Sequence, residues 1–155
     1  MENLNLTPIK NLSDEFVQLL RQTLASNGTN SSGQLSNSIK SIVKQKGKWI
    51  EISISLDDYW KYVEYGTKPH FPPIEAIRKW IRVKPILPRP LQNGKLPTEN
   101  QLAFLIARKI SKVGTRPQPF FTKSIEQFDL INKVYDVVIK SIEEQINNEI
   151  DNELE

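Results

Sequence analysis

His70 is the only histidine in this 155-residue chain, so it is the first candidate for a catalytic base or a metal ligand. It lies between prolines in the segment KPHFPP. A zinc site needs three or four ligands, and no others cluster near His70 at ligand spacing. A catalytic base also needs a nucleophile and an orienting group, and the sequence proposes neither. We therefore interpret His70 as a loop residue with a packing or interface role.

The best group of carboxylates consists of Asp57, Asp58 and Glu64. The two aspartates lie where a strand pattern passes into a helix pattern, and helix capping explains them without catalysis. Glu64 lies near the end of that helix. It could pair with Arg116 or Lys68, or accept backbone N–H bonds, and we favour a structural ion pair over catalysis.

The chain has no cysteine, which excludes disulfides, iron–sulfur clusters, thiolate metal sites and cysteine nucleophiles. It also lacks the glycine-rich phosphate and dinucleotide loops, the serine nucleophile elbow and the zinc-binding HExxH helix. We expect a protein that is not an enzyme and that uses no metal and no cofactor.

Basic residues are concentrated on and after a short helix pattern in the middle of the chain, where they could face DNA or an acidic partner. The candidates are Arg78, Lys79, Arg82, Lys84, Arg89 and Lys95. Trp80 lies among them but shares a helix face with Ile77, so we expect it in the core. No sequence-specific DNA-binding motif is present, and contact with phosphates would be non-specific.

The charge is unevenly distributed along the chain. Residues 68–123 carry twelve Lys and Arg against two acids, a net of +10, whereas residues 141–155 carry six acids and no Lys or Arg. This division suits head-to-tail contacts between copies, or a basic surface that faces DNA or an acidic partner. A solvated basic face and a solvated helix end explain it equally well.

The length suggests one domain spanning residues 1–155. No apolar run approaches the roughly 18 residues of a membrane span, and the first residues do not resemble a signal peptide. We therefore expect a soluble protein made in the cytoplasm, with no membrane partner.

The first half of the chain predicts a helix followed by a hairpin. Thr7 should cap a helix with Pro8 in its first turn, and a polar loop follows at residues 26–33. Leu35 to Val43 could form a short helix or enter a strand. The alternation in WIEISISL predicts a strand, so residues near 40–46 should pair with residues 49–56.

The second half predicts helices around a proline-rich insert. Gly66 should end the helix that follows the aspartates, Pro73 should begin a short helix, and residues 84–97 should form an extended loop. Thr98 and Gln101 predict a capping box for a helix over 99–112. From Pro119 onward, apolar spacing predicts one helix of roughly 30 residues with an acidic end at about 141–155.

These elements predict an α+β fold. A small antiparallel sheet should pack against the N-terminal helix and a long C-terminal helix, with a proline-rich loop inserted between them.

Two segments share one pattern, in which a helix ends at a glycine that is followed by Thr, a basic residue and Pro. The first is YVEYGTKPHFPP from Tyr62, and the second is VGTRPQPFF from Val113. Proline fixes φ and restricts the residue before it, so each segment should be a helix stop followed by a stiff arm. Stiff arms lose little entropy when they are ordered at an interface.

Three segments in order resemble the tail-completion or minor tail protein family of tailed phages, the lambdoid neck proteins. They are SGQLSNSI at residues 32–39, YWKYVEYGT at 59–67 and GTRPQPFF at 114–121, with a strand between the first two. The resemblance covers about residues 5–145. Residues 68–112 depart most from the family pattern, because they contain the proline-rich insert.

The resemblance implies a structural virion protein made in the host bacterial cytoplasm. Such a protein forms a ring of six or twelve copies at the head–tail junction, as a tail-completion or neck connector subunit. Its partners would be the portal or connector on one side, tail proteins on the other and DNA, without sequence specificity, in the lumen. The alternative from the charge pattern is a non-specific nucleic-acid-binding accessory protein of a phage or mobile element.

We expect the assembly interface to lie on the two arms and the helix end before the first. The candidate residues are Glu64, Tyr65, Gly66, Thr67, Arg116, Pro117, Pro119 and Phe120.

Overall fold

The computed structural model describes residues 5–28, 32–84 and 86–153. Within these ranges a helix and a short helix precede a two-stranded hairpin, and the later elements are helical. In chain order they are α1 (Thr7–Ser26), α2 (Gln34–Ser38), β1 (Lys40–Lys46), β2 (Trp49–Ser55), α3 (Trp60–Tyr65), α4 (Ile74–Val83), α5 (Glu99–Val113), α6 (Phe120–Phe128) and α7 (Leu130–Glu153).

The α+β fold is confirmed. β1 and β2 pair antiparallel from Lys40 opposite Ser55 to Lys46 opposite Trp49, as the alternation predicts. The hairpin packs on α1, with Ile54 partly buried against the core. The region between Leu35 and Val43 resolves into both alternatives, because α2 leads directly into β1.

The core lies where α1 meets the C-terminal helices. Phe16 on α1 is buried, with its ring 5.4 Å from Phe128 and 6.2 Å from Phe121 between centroids. Leu20 and Leu24, one and two turns further along α1, are fully buried in the same cluster. Because an amphipathic helix is stabilised mainly by the face it buries, this cluster fixes α1 and α6 against each other.

Two predicted helix caps are wrong. Thr7 does not cap α1: Leu6 takes the cap position and makes no side-chain bond, although Pro8 does lie in the first turn. Neither Asp57 nor Asp58 caps α3, which begins after Tyr59. The Asp57 carboxylate instead accepts a hydrogen bond from the Gln34 side chain, at 3.0 Å, so it ties the segment before α3 to the start of α2.

The local helix boundaries around the proline-rich insert are confirmed. α4 begins directly after Pro73. Thr98 and Gln101 form the predicted capping box of α5, and Gly114 ends that helix. The stretch between the two helices contains no helix or strand in the part that is described, and Pro85 lies outside it. α4 and α5 pack chiefly on each other, and we call this pair and its loop the α4–α5 lobe.

The single C-terminal helix expected from Pro119 is wrong in one respect, because Asp129 interrupts it. Asp129 adopts φ 50° and ψ 46°, the left-handed conformation that aspartate tolerates better than most residues. α6 ends before it and the long α7 starts after it. The apolar spacing continues across the break, so periodicity alone could not reveal it.

Candidate assembly site

The two Gly-Thr segments meet at one point in the fold. Thr67 and Thr115 form an isolated antiparallel bridge, with N···O distances of 3.3 and 3.2 Å. Their hydroxyl oxygens lie 3.0 Å apart, and the Thr115 amide also reaches the Thr67 hydroxyl at 3.1 Å. The bridge joins arms that lie 48 residues apart in the chain.

Glycine is required on both sides of this bridge. Gly66 has φ 70° and ψ −172°, and Gly114 has φ 70° and ψ −159°, a region that only glycine populates readily. A Cβ on Gly66 would collide with the Thr115 carbonyl, and a Cβ on Gly114 would collide with the Thr67 carbonyl. Each glycine therefore allows the backbone of its own segment to approach the threonine of the other segment closely.

Glu64 fixes the second arm from inside the subunit. Its side chain is buried, with 2% exposed, and its Oε2 accepts a hydrogen bond from the Phe121 amide at 2.8 Å. Oε1 accepts the Thr122 amide at 3.0 Å and the Thr122 hydroxyl at 2.5 Å. These amides belong to the first turn of α6, where the helix dipole and unpaired N–H groups favour a negative charge.

The ion pair favoured for Glu64 is therefore wrong. In the described part of the chain its carboxylate pairs with neither Arg116 nor Lys68, because it points inward to the start of α6. Glu64 instead accepts backbone N–H bonds, which is the alternative that the sequence offered. Next to it, the Gln118 amide donates to the Val63 carbonyl at 2.8 Å, so the end of α3 holds the arm at a second position.

The structure divides the eight candidate interface residues into an inner and an outer set. Glu64 and Phe120 are buried and position the arm from within, so any effect of theirs on a partner would be indirect. Gly66, Thr67 and Pro119 are partly buried. The side chains that face solvent are Tyr65, Arg116 and Pro117.

An apolar groove of about 510 Å³ lies beside the bridge. Its walls come mainly from the facing sides of α4 and α5, with Ile77 and Trp80 opposite Ile106 and Ile110. Thr67 and Thr115 line it as well, so the bridge forms part of the groove.

The prediction that Trp80 lies in the core is wrong. Trp80 lines this groove and is 37% exposed. Each wall helix has an apolar face that by itself predicts ordinary core packing. Their arrangement around an open groove depends on how the α4–α5 lobe sits beside the arms, which the sequence does not encode locally.

Basic side chains border the groove. Arg116 is exposed and forms no hydrogen bond or ion pair with any residue that the structure describes. Lys84 donates to the Gly28 carbonyl at 3.1 Å and lies 5.3 Å above the Trp80 ring. His70 also lines the groove, and its Nδ1 donates to the Lys68 carbonyl at 2.9 Å.

Two of the residues expected to face DNA are already paired within the subunit. Arg82 donates to both oxygens of Glu99 at 2.9 and 3.1 Å, and Arg78 donates to Glu99 at 2.8 Å and to Glu75 at 3.1 Å. Hydrogen bonds from Arg82 and then Arg78 lower the pKa of Glu99 to about 2. The same contact raises the pKa of Arg82.

The remaining basic candidates, Lys79, Arg89 and Lys95, are exposed. Across residues 5–28, 32–84 and 86–153, no group of three His, Asp or Glu side chains could hold a metal ion. In the same ranges, no helix combines the length and the apolar character needed to cross a membrane.

Scans against protein-family models, curated proteins and solved structures found no match to this chain. The family resemblance therefore rests on the three sequence motifs. The structure adds how the second and third motifs are arranged relative to each other.

Proposed function

We propose that this chain is a structural virion protein, a subunit of a ring at the head–tail junction of a tailed phage. In this role it completes the tail or neck and links the portal or connector to the tail, while DNA passes through the lumen. The protein is not an enzyme, and the candidate site is an assembly surface.

The observation that carries this proposal is the bridge between Thr67 and Thr115. The two segments that resemble neck-protein motifs are distant in the chain, yet their arms meet and are fixed by two glycines and a buried glutamate. These contacts hold the backbone next to the exposed Tyr65 and Arg116 in one conformation. A preorganised surface of this kind loses less entropy on binding, which supports a role in docking.

The exposed apolar surface gives independent support. Among the described residues, more large hydrophobic side chains lie exposed than buried. Large exposed apolar areas mark interaction surfaces in soluble proteins, and an oligomeric subunit covers them on assembly.

Loss of the protein in a phage that carries this gene tests the proposal. With an early stop codon, we expect DNA-filled heads and separate tails to accumulate, and a plasmid copy of the gene to restore joined particles. Cryo-electron microscopy of restored particles should locate the protein in the neck or at the top of the tail. Normal particles in the absence of the protein would rule out this function.

A further inference from the structure

α7 has two apolar faces, and residues 5–28, 32–84 and 86–153 cover only one of them. The inner face packs on the core through Leu130, Val134 and Val137. The outer face carries a second set of apolar side chains, all of them exposed. We call this set the outer stripe: Ile131, Tyr135, Ile139, Ile142, Ile146 and Ile150.

The outer stripe is a straight ridge. Its residues repeat after 11 positions, since Ile131, Tyr135 and Ile139 recur as Ile142, Ile146 and Ile150. Eleven residues make just over three helical turns, so the stripe stays nearly parallel to the helix axis for about 28 Å. A straight apolar ridge is suited to packing along a groove in another molecule.

The second half of this ridge is acidic. Glu143 and Glu149 lie roughly 60° to either side of Ile146 around the helix, and residues 141–155 contain no Lys or Arg. Two outer stripes paired in parallel would bring these carboxylates together. An antiparallel pair would offer them few cations, because Lys133 and Lys140 are the basic residues in the first half of α7.

The groove of the α4–α5 lobe has the complementary properties. Its walls are apolar, and Arg116 and Lys84 border it. Most of its lining residues belong to residues 68–123, the stretch of the chain with a net charge of +10. Arg116 has no partner among the described residues, so an incoming carboxylate could bind it without displacing an existing contact.

We propose that the second half of α7 from one copy docks in the groove of the next copy. Ile142, Ile146 and Ile150 pack between α4 and α5, and the flanking glutamates face Arg116 and Lys84. This contact rests on the proposed function, because it names the surfaces through which ring subunits join. The two surfaces differ, so each copy uses its helix on one neighbour and its groove on the other, as a closed ring requires.

Two substitutions test the contact from its two sides. Ile146→Asp places a charge on the ridge, and Arg116→Glu reverses the charge at the groove. Both side chains are exposed, so circular dichroism and urea unfolding should match the wild type. We expect each variant to weaken self-association by about 30-fold or more, the scale for a central interface residue. Leu87→Asp is the control, because Leu87 is 96% exposed and lies outside both surfaces.

Mixing the two variants gives the decisive measurement. Mass photometry and sedimentation should show wild type and Leu87→Asp as higher oligomers, and each of the two variants alone as a monomer. An equimolar mixture should form a heterodimer and nothing larger, because the intact helix of Arg116→Glu can still enter the intact groove of Ile146→Asp.

Three results would overturn the inference: wild type monomeric up to sub-millimolar concentration, Ile146→Asp assembling normally, or Arg116→Glu assembling while Ile146→Asp does not. The last would indicate that stripes pair with each other. If the chain is found at the head–tail junction but the variants still assemble, only this contact is wrong. If the mixture behaves as expected but particles form normally without the protein, only the proposed function is wrong.

Discussion

Thr67 and Thr115 exchange two backbone hydrogen bonds, with N···O distances of 3.3 and 3.2 Å, although 48 residues separate them. The glycine before each threonine lies against the carbonyl of the other. The bridge between Thr67 and Thr115 therefore depends on both glycines, and it fixes where the two arms lie relative to α3 and α6.

Gly114→Ala should be strongly destabilising. The alanine would have to adopt a glycine conformation and place its Cβ against the Thr67 carbonyl, a backbone atom that cannot easily move. We expect a loss of about 3 kcal/mol or more in the free energy of unfolding. Urea denaturation followed by circular dichroism measures it.

Gly94→Ala is the matched control for this substitution. Gly94 has φ 72°, close to the φ 70° of Gly114, but a Cβ there would meet nothing within 4 Å. We expect it to cost only about 1–2 kcal/mol, from the left-handed backbone alone. Equal losses for the two variants would mean that the close approach at the bridge has no energetic importance.

Removal of the Glu64 carboxylate should release the start of α6. Glu64→Ala leaves the Phe121 and Thr122 amides without their acceptor in a partly buried position. We expect a loss of about 2–3 kcal/mol, the scale of a hydrogen bond to a charged group. Hydrogen exchange should show faster exchange at these two amides before global unfolding.

Thr122→Val separates the hydroxyl contact from the backbone contacts. It removes one hydrogen bond to Glu64 and retains both amide bonds, so we expect a loss of about 1 kcal/mol. A loss as large as that of Glu64→Ala would contradict the interpretation that Glu64 acts mainly on the backbone of α6.

The Glu99 cluster should make stability depend on pH in acid. The pKa of Glu99 is lowered from 4.5 to about 2 by Arg82 and Arg78. The folded state therefore binds the proton less readily than the unfolded state. This contribution to stability is complete above pH 4.5 and is lost as the pH falls toward 2.

Glu99→Gln isolates that contribution. The free energy of unfolding, measured by urea titration between neutral and acidic pH, should fall less steeply below pH 4.5 in the variant than in the wild type. The variant must be compared with the wild type because Lys46 also lowers the pKa of Glu51, so Glu99 is not alone in making stability depend on pH. Identical slopes would show that the two arginines do not hold Glu99 in solution.

DNA binding should be weak and should not depend on the paired arginines. Arg82→Ala should destabilise the α4–α5 lobe and leave affinity for duplex DNA unchanged, because Arg82 already holds Glu99. Lys79→Ala, at an exposed position, serves as the comparison. Electrophoretic shifts at several salt concentrations measure both. Tight binding by the monomer with a steep salt dependence would favour the nucleic-acid-binding alternative.

The elements with strong local patterns were predictable from the sequence. The capping box at Thr98 and the stops at Gly66 and Gly114 each depend on a few neighbouring residues. The alternation of WIEISISL likewise predicts the second strand, and with it the pairing of residues near 40–46 with residues 49–56. In these cases local preference and tertiary packing favour the same structure.

The features that were missed depend on distant parts of the chain or on a single backbone conformation. The amides that donate to Glu64 belong to Phe121 and Thr122, which follow it in the chain by 57 and 58 positions. No rule of sequence spacing relates residues so far apart. The break at Asp129 occurs within an unbroken apolar period. The groove needs the relative placement of α4, α5 and the arms, which depends on the bridge.

The bridge at Thr67 and Thr115 also makes the α4–α5 lobe a closed loop. The chain enters the lobe at Thr67 and leaves it at Thr115, and these two residues lie side by side in the fold. α4 and α5 pack chiefly on each other. The distance between the ends of the lobe is thus independent of what lies between them. As long as Gly114 and the bridge are kept, residues 68–113 can therefore lengthen, shorten or change sequence without displacing the core, so the partner-facing part of the subunit can vary on a constant scaffold.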